Sequence, residues 1–373
     1  GRKQSIAFGA NLESYTNLST GSYNYIDTLH GSAQFFALNQ PGTKLNFNLL
    51  SSTWIELYGT YARTIYDDEH RRLNVGATLK LSRGISGAYA RLDNGQFAST
   101  LQGNQTVYTL TGANLVYGYS SNFDQWQNGN SSGTNINNLL AYTQGGASFD
   151  LGLEYLVKPQ GTTSFEDEDN YYDYDWKFGA ALLGLGGNQY KYGTQSRVVS
   201  GVKANITNLS LDQKFNSGVN SVESFNDSLA TLVNQSSGIA GKFNVLNPVR
   251  LVLNVDRYLG DAFFVNADLS LNAPSSFLKD YLQVKELSFI TVTPRWETKK
   301  LGFYLPIQYN DQHQLWIGGA VKVGPLLLGI HNFGNLFSKT STENGGGYIA
   351  LVFRAPHNTE KKSDKRLDCP KYK

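Results

Sequence analysis

Strict two-residue alternation, repeated in runs of about ten residues, constrains this chain more than any other feature of its sequence. In residues 147–155, Ala147, Phe149, Leu151, Leu153 and Tyr155 alternate with Ser148, Asp150, Gly152 and Glu154. An extended strand sends odd and even positions to opposite faces, and no helix does so. About nine to eleven tilted residues cross the hydrocarbon core of a bilayer. One face here is apolar and the other is small, polar or charged. A strand between lipid and a watery lumen needs that division.

The pattern recurs. Leu73, Val75, Ala77, Leu79 and Leu81 alternate with Asn74, Gly76, Thr78 and Lys80. Val265, Ala267, Leu269 and Leu271 alternate with Asn266, Asp268, Ser270 and Asn272. Leu301, Phe303, Leu305 and Ile307 follow the same rule, as do Leu315, Ile317, Val321 and Val323. A soluble β-sandwich or propeller also alternates. Length, aromatic content and the end of the chain therefore decide which way the apolar face looks.

All-β barrels of 373 residues form one domain. No apolar run reaches the length of a transmembrane helix, which leaves barrel strands as the membrane-crossing option. Aromatics make up 13% of the chain, with 23 tyrosines, a load that suits interfacial girdles. The net charge of +2 carries no nucleic-acid footprint. Cys369 is the sole cysteine and rules out an internal disulfide, and the five scattered histidines show no zinc spacing. No cofactor is expected. The chain lacks methionine and is read as a processed or trimmed product, consistent with export.

Weak strand candidates occupy 5–13, 31–38 and 44–50, with a stronger run at 53–65. Residues 71–81 are expected to pair with 85–92 across a short turn at Ser82-Arg83-Gly84. Further strands fall at 107–119, 147–157, from Trp176 to Leu182, and less regularly at 197–211. The cleanest lie at 249–259, 263–272, 287–296, 301–309, 315–323, 326–333 and 346–354. Residues 120–143 read as a long polar loop. Glu166-Asp167-Glu168-Asp169 lacks the spacing of a calcium loop and reads as a solvated charged loop. One good helix candidate starts at Ser221 and carries Val222, Phe225, Leu229 and Leu232. It either plugs the lumen, lies on the membrane or packs within a loop, the last being the default. The expected fold is an all-β, antiparallel up-and-down transmembrane barrel over 1–355. About fourteen strands are expected, with sixteen as the alternative, followed by a charged tail at 356–373.

The final strand, with Ile349, Leu351 and Phe353 in one phase, resembles the closing strand of bacterial outer-membrane barrels. In those proteins this strand is read by the assembly machinery. The stretches Trp54-Ile55-Glu56, Tyr61-Ala62-Arg63, 75–80 and 149–153, with the hairpin region 301–333, resemble an uncharacterised Bacteroidota outer-membrane β-barrel family. Some members of that family carry a peptidoglycan-binding periplasmic domain of OmpA type. Asp368-Cys369-Pro370 resembles the start of the linker before such a domain. The resemblance implies a location and a fold and supplies no catalytic residues. Asp27-Thr28-Leu29 and Asp227-Ser228-Leu229 resemble the O-glycosylation acceptor pattern of that group, at Thr28 and Ser228.

Three functions follow as expectations. The first is a non-catalytic outer-membrane subunit of an envelope complex, with its tail in the periplasm and contacts to lipid, to other envelope proteins and, through a further domain, to peptidoglycan. The second is a porin-like channel or transporter whose lumen carries Glu56, Lys80, Asp150, Glu154, Lys177, Asp268 and Lys322, in mixed signs that either line a wet path or pair and close it. The third, a barrel enzyme, lacks any recognisable motif that joins a serine to a base and an orienting acid. A soluble β-sandwich binding protein is the alternative outside the membrane.

Overall fold

The computed structural model describes residues 3–26, 31–158, 174–215, 219–273, 282–298, 300–334 and 346–351. They form one large, almost wholly antiparallel sheet of nineteen strand segments. No helix among them is long and apolar enough to cross a membrane. Thr28, Phe353, the acidic stretch 166–169 and the tail 356–373 lie outside the described residues.

The nineteen segments line up end to end in twelve rows, fewer than the fourteen or sixteen expected. β1 (Gln4–Thr20) pairs with β2 (Leu45–Asp67), and β2 with β3 (Arg71–Gln102). The fourth row is β4 (Gln105–Tyr119) continued by β5 (Gln144–Val157). Tyr119 stands opposite Ala88 of β3, and Gln144 opposite Gly84. The fifth is β6 (Trp176–Lys191) continued by β7 (Arg197–Val202). The sixth joins β8 (Val233–Gly238), β9 (Lys242–Leu246) and β10 (Arg250–Gly260). β11 (Phe263–Asn272) follows, and the two-residue β12 (Leu282–Gln283) pairs parallel with β9.

β13 (Phe289–Glu297) is the eighth row. The ninth is split into β14 (Leu301–Tyr304) and β15 (Ile307–Asn310) at Pro306, which has no N–H to give the ladder. The tenth is split into β16 (Leu315–Ile317) and β17 (Gly319–Val323). β18 (Leu326–Ile330) and β19 (Gly347–Leu351) complete the set. Among the described residues no ladder joins β19 to β1, so these two rows are the sheet's edges.

Several local expectations change. Ser82-Arg83-Gly84 is no turn, because β3 runs through it as one strand of 32 residues. Its glycines serve packing: the Tyr190 ring lies over Gly84 and Gly87, where an added Cβ would come within 2.6 and 2.7 Å of it. Ile85 is the extra residue of a bulge, since Ser86 pairs with Thr53 and Gly84 with Trp54. The real hairpin turn is at residues 103–104. Residues 31–38 hold a helix, α1 (Ser32–Ala37), because Phe35 and Phe36 pack on aromatics rather than alternate. Residues 120–143 hold a short 3-10 turn (Ser121–Gln125) and α2 (Ser132–Ala141). The strand expected at 197–211 stops at Val202 and gives way to α3 (Asn208–Phe215).

The helix expected at Ser221 is α4 (Val222–Leu232), closed by a capping box in which Ser221 and Ser224 bond each other's backbone N–H. Phe225, Leu229 and Leu232 pack on Tyr117 and Val199. The ladder places Tyr117 and Ala90 in register with Leu49 of β2, on the face that carries Ile55 and Leu57 lower down. The helix therefore rests on the outer face of the sheet and does not plug the interior.

The two faces invert the ordinary polarity of a soluble protein. Outward-facing Leu57, Leu81, Leu151 and Phe303 are 66%, 61%, 47% and 52% exposed, while inward-facing Glu56, Asp256 and Glu297 are 2%, 1% and 5% exposed. The apolar side of nearly every row faces away from the protein.

Candidate functional site: the inner face of the sheet

Alternation aims one residue in two inward, so each row contributes polar side chains to a shared interior. Two ion-paired clusters stand out there among the described residues. In the first, Lys80 of β3 lies 2.8 Å from Asp150 of β5 and 3.8 Å from Glu56 of β2. Glu56 also accepts from Trp54 Nε1 at 3.0 Å and Asn11 at 3.2 Å. The other Asp150 oxygen accepts from the Gly184 N–H at 2.7 Å. Gly184 has φ +73°, the left-handed region that favours glycine, and it sits at the irregularity in register between β5 and β6.

The second cluster is an alternating chain of charge. Lys177 is 3.9 Å from Asp256, which takes both terminal nitrogens of Arg295 at 3.0 and 2.7 Å. This fork is the strong bidentate geometry of guanidinium and carboxylate. Arg295 Nε meets Glu297 at 3.3 Å, and Glu297 meets Lys322 at 2.8 Å. Tyr174 donates to Asp256 at 2.7 Å, and the guanidinium lies 4.4 Å over the buried Phe264 ring. Below and between the clusters an open cavity of about 670 Å³ has a mixed wall, with polar Thr60, Asn74, Glu154 and Lys177 beside apolar Val75 and Val252.

Above them an aromatic layer fills the interior. Tyr15 stacks on Trp54 at 5.5 Å, and Phe243 contacts Tyr190, Tyr89 and Tyr192 at 5.3, 5.5 and 4.8 Å. Leu50, Val245 and Val284 complete it. Ser52 and Tyr190 share a hydroxyl hydrogen bond of 2.7 Å.

Of the residues singled out in the sequence, Lys80 and Asp150 come together, and Lys177 and Lys322 join opposite ends of the second chain. Glu154 accepts from Asn74 at 3.0 Å, and Asp268 accepts from Asn254. Ile349 and Leu351 face outward on the edge row, 76% and 61% exposed. Ser228 lies half-buried within α4. Sequence reasoning missed Asp256, Arg295, Glu297 and Tyr174, the heart of the second cluster. The first three share the phase of polar Asn254, Thr291 and Thr293, a signal that was present in the alternation. Tyr174 enters from the β5–β6 connection and had none.

These features define a large antiparallel β-sheet protein with a polar, ion-paired inner face and an apolar outer face. The chain belongs to DUF5723, a family of unknown function whose sequence profile matches residues 1–330. No curated protein and no solved structure matches it.

Proposed function

We propose that the sheet closes through its first and last rows into a non-catalytic outer-membrane barrel that serves as a subunit of an envelope complex. The carrying observation is the outward apolar face, which runs around the rows at bilayer-spanning length while charges pair inside. Three features support closure. The row number is even, so β1 and β19 run in opposite directions. The β10–β11, β13–β14 and β17–β18 turns are short and lie at the end where β1 begins and β19 ends. An open edge in lipid would leave backbone groups unpaired at several kcal/mol each.

In this reading the short-turn end and the tail at 356–373 face the periplasm. Envelope proteins, and peptidoglycan through a further domain, are the partners. The aromatic layer above the ion pairs favours a scaffold over an open pore. The open interior cavity of about 670 Å³ favours the second reading, a channel or transporter for a small solute.

Refolding into lipid vesicles tests the membrane assignment. Leu151→Arg, on the outward face, is expected to cost about 2–4 kcal/mol, and Gly152→Ser, on the inward face, much less. Equal tolerance of both would sink the reading. Conductance in planar bilayers separates scaffold from channel, and co-purification after gentle detergent extraction identifies the complex.

A further inference from the structure

Residues 120–143 interrupt the fourth row between β4 and β5, and their polar groups fasten them to the sheet at one height. Asn122, 2% exposed, donates to the Ile85 carbonyl at 2.6 Å and to the Leu139 carbonyl at 3.2 Å. Asp124 accepts from the Tyr119 hydroxyl at 2.5 Å and from the Thr194 N–H at 2.8 Å. Asn135 accepts from Gln127 N–H and donates to Gln127 O, and Arg83 donates to Thr143 at 3.2 Å. The insertion is thus docked through its polar side. Its large apolar side chains stay uncovered: Phe123, Trp126, Ile136, Leu140 and Tyr142 are 42%, 48%, 50%, 44% and 54% exposed.

Five such side chains on one well-fastened element mark an interaction surface. Its height names the partner. The anchor points Arg83 and Ile85 lie two and four residues beyond Leu81, the last large outward apolar residue of that part of β3. At about 3.3 Å per residue along a strand tilted by roughly 35–45°, this is on the order of 5–11 Å above Leu81. A bilayer has its headgroup layer just there, and tryptophan and tyrosine concentrate in it. The segment carries one acidic residue, Asp124, and no lysine or arginine. Burial of apolar and aromatic surface would hold it, without attraction to anionic lipid.

We propose that the 3-10 turn and α2 form an interfacial anchor, with Phe123, Trp126, Ile136, Leu140 and Tyr142 set into the headgroup layer of the leaflet at the long-loop end. The anchor rests on the membrane reading above and fixes the depth at which the sheet sits.

Spin labels test it in a Cys369→Ser background, which removes the only native cysteine. Single labels go on Ile136→Cys, on Leu151→Cys at mid-belt and on Ala230→Cys of α4, in phosphatidylcholine nanodiscs. Collision with oxygen reports lipid, and collision with a nickel chelate reports water. The expected result is Leu151 deep, Ala230 aqueous and Ile136 between them, at a depth unchanged when anionic lipid is added. A label at Ile136 as open to nickel as Ala230, with Leu151 still shielded, would overturn the anchor and leave the membrane reading intact. A label at Ile136 shielded from both probes would assign the surface to a protein partner and also overturn it. A label at Leu151 as open to nickel as Ala230 would instead remove the membrane reading itself.

Discussion

Tyr15 and Glu286, 271 residues apart, share a hydrogen bond of 2.7 Å across the inside of the sheet. Asn17 reinforces it, donating to the Lys285 carbonyl at 2.9 Å and accepting from the Lys285 N–H at 2.6 Å. Glu286 also pairs with Arg250. The first row thus touches the segment that leads into the eighth, which requires the sheet to curl tightly around its interior.

Tyr15→Phe keeps the ring stacked on Trp54 and removes only this hydroxyl. A hydrogen bond to a charged partner contributes about 1.5–3 kcal/mol. Urea unfolding of the variant should show a loss of that size. A change below the error of the measurement would mean that the curl is held elsewhere.

Arg295 and Asp256 form the fork at the centre of the second cluster. Removing one partner of a buried pair leaves an uncompensated charge, at about 3–5 kcal/mol. Arg295→Leu is expected to fall in that range, because among the described residues Asp256 then keeps only the Tyr174 hydroxyl and the more distant Lys177. Adding Asp256→Asn should recover part of the loss. Simple additivity in this double-mutant cycle would show that the two groups act independently.

Tyr117 gives the opposite expectation. Its hydroxyl is buried and has no hydrogen-bond partner among the described residues, and burial pushes its phenol up to about 12. A buried unsatisfied polar group costs about 1–3 kcal/mol. Tyr117→Phe should therefore leave the melting temperature unchanged or raise it. Tyr174→Phe, which strips a hydroxyl that serves Asp256, should lower it.

Asp68 sits in the turn between β2 and β3. Bonds from the Tyr66 hydroxyl first, then from the His70 and Arg71 N–H groups, hold its carboxyl down at about 2. An unfolded aspartate titrates near about 3.9. With the folded value depressed, the turn's contribution is complete above the unfolded value and is lost as pH falls through the folded one. Carboxyl carbon shifts should place the Asp68 titration near 2 in the native protein and higher in Tyr66→Phe. Identical titrations would refute the role of the Tyr66 hydroxyl.

Alternation of period two was enough to place almost every strand beyond residue 248, because a strand with unlike faces writes its geometry directly into sequence. The break at Pro306 and the α4 cap at Ser221 rest on equally local chemistry. The failures share a different cause. Gly84 reads as a turn residue, but its role is set by Tyr190, more than one hundred positions away, whose ring needs the space. Phe35 and Phe36 became helical, so that Phe36 meets Phe97 and Tyr108 and Phe35 meets Tyr23. The row count depended on which segments lie end to end, as β4 and β5 do beside β3, and no local pattern encodes that. For the site, sequence identified inward charges as a class and brought Lys80 and Asp150 to notice. Their pairing, and the entry of Arg295 and Tyr174 around Asp256, came from the curl of the sheet, since alternation says which face a residue takes and only tertiary structure says what it meets there.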